Sequence, residues 1–234
     1  MIKRIIAIGG GELRERTTLA IDEYIANLAK ARAGENRANA LFIPTASHDF
    51  MPYYNTFHKV YTGQFNIKTD VALTVFKDVD MEKLTAKFQK ADMIYVGGGD
   101  TVFMMESWKK NGILPLLKDA YERGVILTGL SAGAICWFSD IYTDSAQEQT
   151  GEKYAMFQGL NWLKGVISPH YGARMLDFDK TVCYNYDNAY AIEDNAALVI
   201  ENEEIVGSIT SGGKAWFLKR EGEKLIKTEV PSVL

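Results

Sequence analysis

The sequence predicts an α/β fold of three layers (helix, sheet, helix) with a mostly parallel sheet and a short antiparallel C-terminal extension. Three observations predict it. Apolar, β-branched runs alternate with runs of helical period from Ile2 to Ser131. The central strand-like runs are apolar throughout, as strands covered on both faces should be. After Ser131 the alternation gives way to short strands joined by tight turns.

The elements follow in order. Ile2–Ile8 is a β-branched strand that stops at Gly9-Gly10-Gly11. Thr17–Ala31 places Ile21, Tyr24, Ile25 and Leu28 on one helical face. Ala40–Pro44 is a short buried strand. Met51–Tyr61 is an aromatic-rich helix whose Tyr53, Tyr54, Phe57 and Tyr61 could equally line a pocket. Ile67–Phe76 reads as a strand and Met81–Gln89 as a short helix. Asp92–Val96 is a strand that stops at Gly97-Gly98-Gly99. Val102–Lys110 and Ile113–Glu122 are helices broken at Asn111-Gly112. Val125–Thr128 is a strand, and Ala134–Phe138, after the serine, reads as helical. Ala196–Ile200, Ile205–Ile209 and Ala215–Lys219 form the antiparallel part. Crossovers between the parallel strands should be right-handed.

Residues 1–234 read as one domain, since no Pro-, Gly- or Ser-rich linker and no internal repeat divides them. The net charge is −4, with acids and bases interleaved, so no basic stripe points to nucleic acid. No apolar run reaches the roughly 18 residues of a membrane span. The N-terminal MIKRIIAIGGGE is too short, and too soon glycine-rich, for a signal peptide. The two cysteines, Cys136 and Cys183, form no CxxC and read as reduced thiols of a cytoplasmic protein.

Both triple-glycine turns follow strands, so both should lie at the carboxyl edge of the sheet, where sites form in open α/β folds. Neither matches GxxxxGK[ST] or GxGxxG, which argues against a nucleotide phosphate. Glycine for a tight turn would explain either loop. Gly97–Gly99 admits a further reading, because exposed N–H groups there could donate to a developing oxyanion.

That reading needs a nucleophile, and Gly129-Leu130-Ser131-Ala132-Gly133 supplies a candidate. Gly-x-Ser-x-Gly between a strand and a helix is the nucleophile-elbow pattern. The turn is tight, so the serine's neighbours must be small, and Ala132 N–H becomes the first oxyanion donor. A serine hydroxyl also needs a base. His170 follows a short apolar run in Val166–Tyr171 and is preferred. His48 follows a strand and competes, while His58 lies within a helix. A third group should orient the imidazole. Asp140, Asp144, Glu193 and Asp194 are all candidates.

GGGDT at 97–101, TGLSAGA at 128–134, SPHY at 168–171 and AIEDNAAL at 191–198 occur in the order and approximate spacing of the peptidase E family. The chain resembles that S51 group of serine peptidases, which holds α-aspartyl dipeptidase and the cyanophycinases, from about Ile2 to Leu218. The resemblance implies a class I glutamine amidotransferase-like, flavodoxin-like sheet and a serine hydrolase with no metal or cofactor. It carries over Ser131 as nucleophile, His170 as base, and Gly98 or Gly99 with Ala132 as oxyanion donors. It offers Glu193 as third member, preferred over Asp144.

The implied substrate is a small peptide, with dipeptides bearing an N-terminal aspartate preferred; the implied assembly is a monomer or homodimer. Cyanophycinases are usually longer, which favours the dipeptidase branch over a β-aspartyl peptidase. Aspartyl specificity needs a cation, and Arg174 is the nearest candidate. Asp100 and Thr101 of the GGGDT motif join it as candidate substrate contacts. Tyr142–Phe157 is an insert-like loop that could cover the site. Two rivals remain. An amidotransferase would use cysteine at the elbow, but Cys136 lies beyond the turn. A non-catalytic binding protein could keep the same scaffold.

Overall fold

The computed structural model describes residues 1–75, 79–145 and 147–234. The first half alternates as expected: β1 (Arg4–Ile8), α1 (Leu19–Ala33), β2 (Asn39–Ile43), a 3-10 turn (Thr45–Ser47), α2 (Met51–Phe65), β3 (Lys68–Val71), α3 (Met81–Lys90), β4 (Met93–Val96), α4 (Thr101–Lys110), α5 (Ile113–Glu122) and β5 (Ile126–Leu130). The second half is strand-rich: α6 (Ala132–Ile135), β6 (Phe138–Thr143), α7 (Gln147–Thr150), β7 (Ala155–Gln158), β8 (Leu163–Ser168), α8 (Tyr171–Asn185), β9 (Asn188–Ile192), β10 (Ala196–Glu201), β11 (Glu204–Thr210), β12 (Ala215–Glu221) and β13 (Lys224–Glu229).

Two sheets result. The first has seven strands in the order β11-β10-β1-β5-β4-β2-β3. Its β1, β5, β4, β2 and β3 are parallel, and β10 and β11 extend the β1 edge antiparallel. The second has six strands in the order β13-β12-β9-β8-β6-β7, with β6, β8 and β9 parallel. The expected α/β sheet with an antiparallel extension is present, and the second sheet adds to it.

The central strands are apolar because both faces of the first sheet are covered. Ile5, Ala7, Ile94 and Leu127 face a core with Trp108 and Trp137. Ile6, Ile8, Phe42 and Tyr95 face the opposite core with Ile21, Phe57 and Tyr61. A third cluster packs Phe178 and Val182 of α8 on Leu218 of the second sheet. Each such fully buried large side chain contributes about 1.5–3 kcal/mol. Asp80 and Asp100 cap α3 and α4, their carboxylates accepting from Lys83 N–H (3.1 Å) and Phe103 N–H (2.9 Å).

The differences from expectation have local causes. The strand read at Ile67–Phe76 is only β3, an edge strand with a half-buried pattern; Phe76 lies outside the described residues. The helix read through Phe138 stops after one turn. Trp137 and Phe138 are buried aromatics, and Trp137 Nε1–H donates to Gly133 O at 2.9 Å, so the chain turns directly into β6. The segment read as a loop from Tyr142 to Phe157 holds the end of β6 and most of β7, paired antiparallel; Ala146 within it lies outside the described residues. Among the described residues no helix is long and apolar enough to cross a membrane.

Candidate active site

Parallel β1, β4 and β5 end at one edge, which brings Gly9–Gly11, Gly97–Gly99 and Ser131 together. From the second sheet, β8 and β9 run out into Pro169-His170 and Glu193-Asp194. Three consecutive carbonyls hold these segments in register. Ser131 N–H donates to Ile8 O (2.9 Å), His170 N–H to Gly9 O (3.1 Å) and Asn195 N–H to Gly10 O (2.9 Å). The first glycine loop is thus the hub onto which both sheets are stitched.

Gly10 has a further requirement. A Cβ there would collide with Asp194 Oδ1 and lie 2.5 Å from His170 Nδ1. The His170 and Asp194 side chains rest on the bare backbone of that residue. The turn reading of the loop therefore holds, but close approach of side chains, not turn geometry alone, demands glycine.

Ser131 has φ 52° and ψ −106°, a conformation that costs a non-glycine residue about 1–3 kcal/mol. It persists because the residue is bonded on both sides: its N–H to Ile8, and its carbonyl from Ala134 N–H (2.9 Å) and Ile135 N–H (3.1 Å). The neighbours must be small. A Cβ on Gly129 would strike Gly133 O, and one on Gly133 would strike Val96 O of β4.

His170 Nε2 lies 2.9 Å from Ser131 Oγ, and His170 Nδ1 lies 2.6 Å from Asp194 Oδ1. An ionised carboxylate can only accept, so the Nδ1 proton is donated to Asp194. In the neutral imidazole Nε2 is then the lone-pair nitrogen, placed to accept from the Ser131 hydroxyl. The hydrogen bond from His170 holds the Asp194 carboxyl below the usual carboxylate range, and the nearby Arg174 charge acts the same way.

The preferred third residue is therefore corrected. Glu193 does not face the imidazole. Its carboxylate accepts from Trp216 Nε1–H (2.9 Å) and from Lys214 N–H (3.0 Å), tying the end of β9 to β12. Glu193 is the first residue past β9 and Asp194 opens the turn to β10, so the change of chain direction sends the two adjacent carboxylates to different neighbours. Asp144, the alternative, pairs with Arg174 Nη2 at 3.2 Å. Asp140 accepts from Ser139 Oγ–H at 2.8 Å.

The histidine competitors lie in other surroundings. The His48 ring lies tilted at 43° to Phe103 with centroids 4.0 Å apart, and His58 Nδ1 is 2.6 Å from Thr69 Oγ1. Cys136 is fully buried, and burial pushes its thiol pKa well up, as a thiol off the turn and away from solvent should behave.

Gly98 and Gly99 line the cavity at Ser131. A Cβ on Gly98 would stand 3.5 Å from Ser131 Cβ, and the Gly98 N–H donates to Tyr53 Oη at 3.3 Å. Gly99 has φ 137° and abuts Ala46, a turn that needs glycine. Ala132 heads α6, where an N–H has no acceptor within its own helix.

The three candidate substrate contacts are engaged elsewhere. Asp100 caps α4. Thr101 is buried, and its N–H donates to Ser145 Oγ at 2.9 Å. Arg174 is 5% exposed, donates to Tyr142 O at 2.9 Å, pairs with Asp144 and lies over the Tyr154 ring. It anchors the Tyr142–Phe157 segment instead of facing Ser131. Asp144, Ser145 and Gln147 of that segment border the start of α4 around Asp100, and none of its described residues lines the cavity at the serine.

The cavity at Ser131 and His170 has a volume of about 480 Å³. Its walls are Leu13, Phe50, Pro52, Tyr53 and Leu130, with Glu12 and Arg14 as its charged groups. Of the aromatic residues of α2 proposed as pocket lining, Tyr53 reaches it, while Phe57 and Tyr61 are core. Leu13, Arg14 and Phe50 carried no sequence signal, because they sit in irregular turns whose neighbours in space are remote in sequence.

Residues 5–207 match the model of peptidase family S51. The chain belongs to that family. It is 32% identical to the uncharacterized peptidase YgaJ of Bacillus subtilis (strain 168), over 98% of both chains. The fold is shared with a solved peptidase from an acI-B1 Actinobacterium (TM-score 0.74, 16% identity, covering 100% of this chain and 96% of that one). It is also shared with a putative peptidase E protein of Listeria monocytogenes EGD-e (TM-score 0.63, 19% identity, 90% and 99% covered). The S51 chain is thus a peptidase by family. Its site brings a serine hydroxyl, an imidazole and a carboxylate into a single hydrogen-bonded line.

Proposed function

We propose that this S51 peptidase hydrolyses short peptides through a serine acyl-enzyme. The carrying observation is the line of contacts Ser131 Oγ–His170 Nε2 (2.9 Å) and His170 Nδ1–Asp194 Oδ1 (2.6 Å). As a peptide carbonyl enters, Ser131 Oγ attacks its carbon and His170 Nε2 takes the hydroxyl proton. Asp194 stabilises the imidazolium that forms. Gly98 N–H and Ala132 N–H hold the oxyanion. The imidazolium then protonates the leaving amine. Water, deprotonated by the same nitrogen, releases the acid and restores Ser131.

Dipeptides with an N-terminal aspartate are the proposed substrates. With Arg174 buried, the cation that supports an acidic side chain is Arg14, which lines the cavity. Glu12, in the same turn, suits a free α-amino group. Two free cysteines support a reducing, cytoplasmic setting.

The test is a hydrolysis panel of Asp-Xaa dipeptides, β-aspartyl dipeptides and N-blocked controls, run beside Ser131→Ala. Hydrolysis of Asp-Xaa that disappears in Ser131→Ala, with a fluorophosphonate adduct on Ser131, is the expected result. Undiminished hydrolysis by Ser131→Ala overturns the mechanism, and preference for β-aspartyl or blocked peptides overturns the substrate.

A further inference from the structure

We propose that Tyr53 is a catalytic residue whose phenol donates a hydrogen bond to the oxyanion during acyl transfer. This rests on the serine mechanism and on Gly98 as an oxyanion donor.

One N–H group links the tyrosine to the nucleophile. Gly98 N–H donates to Tyr53 Oη at 3.3 Å. Gly98 also adjoins the nucleophile, since a Cβ on it would be 3.5 Å from Ser131 Cβ. Any oxyanion accepting from Gly98 N–H must therefore settle beside Tyr53 Oη. Two oxygens sharing one donor repel unless a proton lies between them. The phenol carries that proton. A hydroxyl accepts through a lone pair and donates through its own hydrogen, so Oη can keep the Gly98 contact and donate toward the substrate oxygen. Its approach makes the site a three-donor hole: Gly98 N–H, Ala132 N–H and Tyr53 O–H.

The ring is held for this task. It packs edge-on against Phe42, with centroids 5.0 Å apart and planes at 70°. It also passes over Gly97, where a Cβ would come 2.9 Å from Tyr53 Cε1, so the glycine admits the ring. Burial pushes the phenol pKa up to about 12, which keeps the proton on the oxygen at neutral pH. The same ring borders the cavity shared by Ser131 and His170.

The experiment uses the full chain and two probes that need no knowledge of the natural substrate. Tyr53→Phe keeps the ring and removes the hydroxyl. With p-nitrophenyl acetate, the acylation rate should fall about 10- to 100-fold while KM changes little, since the bond forms only as charge develops. Fluorophosphonate labelling of Ser131 should slow in parallel, and the melting temperature should stay within a degree or two of wild type. Unchanged acylation and labelling overturn the proposal. A faster rate in Tyr53→Phe overturns it too, because it means that the hydroxyl plugs the Gly98 donor. Ser131→Ala separates the tyrosine role from the mechanism beneath it. If it abolishes acylation while Tyr53→Phe is normal, the tyrosine role alone falls; if it leaves acylation intact, the serine mechanism falls as well.

Discussion

Asp194 accepts the Nδ1 proton of His170 at 2.6 Å, while the adjacent Glu193 is turned away onto Trp216. Removing each carboxylate should therefore have a different effect. Asp194→Ala leaves the imidazole without its orienting acceptor, and kcat/KM should fall roughly 10²- to 10⁴-fold with the melt nearly unchanged. Glu193→Gln keeps an acceptor for Trp216 and should change kcat/KM less than about threefold. Steady-state kinetics of the two variants side by side decide the matter. Equal losses would falsify Asp194 as the sole orienting group.

The sequence made much of this arrangement legible. Ser131 could be placed because the small residues its elbow needs are its immediate neighbours, and His170 because an apolar strand runs directly into it. The parallel core of β1, β2, β4 and β5 was readable from unbroken apolar runs between glycine stops. What escaped depended on register or on contacts across the two sheets. Glu193 and Asp194 are equally acidic and adjacent, and only the turn between β9 and β10 decides which one meets the imidazole. Arg174 looked like a substrate cation because nothing local reveals that Tyr142 of β6 and Asp144 just beyond it enclose the side chain. The second sheet was hidden for a similar reason. Its β6 follows a helix of one turn, too short to announce a change of element, and its β13 is an exposed edge with few apolar residues.

The packing of His170 and Asp194 on Gly10 gives the next prediction. In Gly10→Ala, the new methyl collides with the Asp194 carboxylate and with the imidazole, 2.5 Å away. Since Asp194 lies partly in solvent, the side chains can give way without unfolding the domain. The expected result is a fall in kcat of about 10²-fold or more, comparable to misplacing the base by an ångström. Circular dichroism should be unchanged. Fluorophosphonate labelling of Ser131 should slow by a similar factor. Wild-type rates in Gly10→Ala would mean that the pair is not held against that backbone.

Arg174 leads to a prediction about stability, not specificity. Its guanidinium is 5% exposed and donates to the Tyr142 carbonyl at 2.9 Å, whereas Asp144 on its other side is largely in solvent. The ion pair is therefore screened, and the loss in Arg174→Met comes mainly from the charged hydrogen bond to the Tyr142 carbonyl. A destabilisation of roughly 1–3 kcal/mol is expected from urea titration. The relative kcat/KM for Asp-Xaa and Ala-Xaa dipeptides should be preserved within about threefold. A selective loss of the aspartyl substrate in this variant would return Arg174 to the specificity site, and the same loss in Arg14→Gln is what the cavity lining leads us to expect.

Asp22 gives a pH-dependent prediction away from the catalytic line. It is 1% exposed on α1, accepting from Thr18 Oγ1–H at 2.7 Å and from Tyr61 Oη–H at 2.8 Å. Burial raises its pKa from 3.8 to about 6, against the opposing pull of the two hydroxyl donors. The sign follows from proton binding. Between these two values the folded chain keeps a proton that the unfolded chain has released, so the native state loses stability as pH rises through that window. The favourable contribution is complete below about pH 4 and gone above about pH 7. A shift of about two units corresponds to roughly 3 kcal/mol. The amide that Asp22→Asn introduces cannot titrate, and either hydroxyl can rotate to suit it. Urea unfolding of wild type and Asp22→Asn at intervals from pH 4 to pH 7 isolates the effect, because every other titrating group cancels in the difference. Wild-type stability relative to the variant should decline by about 3 kcal/mol over that range and then level off. A difference that stays flat, or that grows with pH, would show that the carboxylate is already ionised at the low end and that its two hydroxyl donors outweigh its burial.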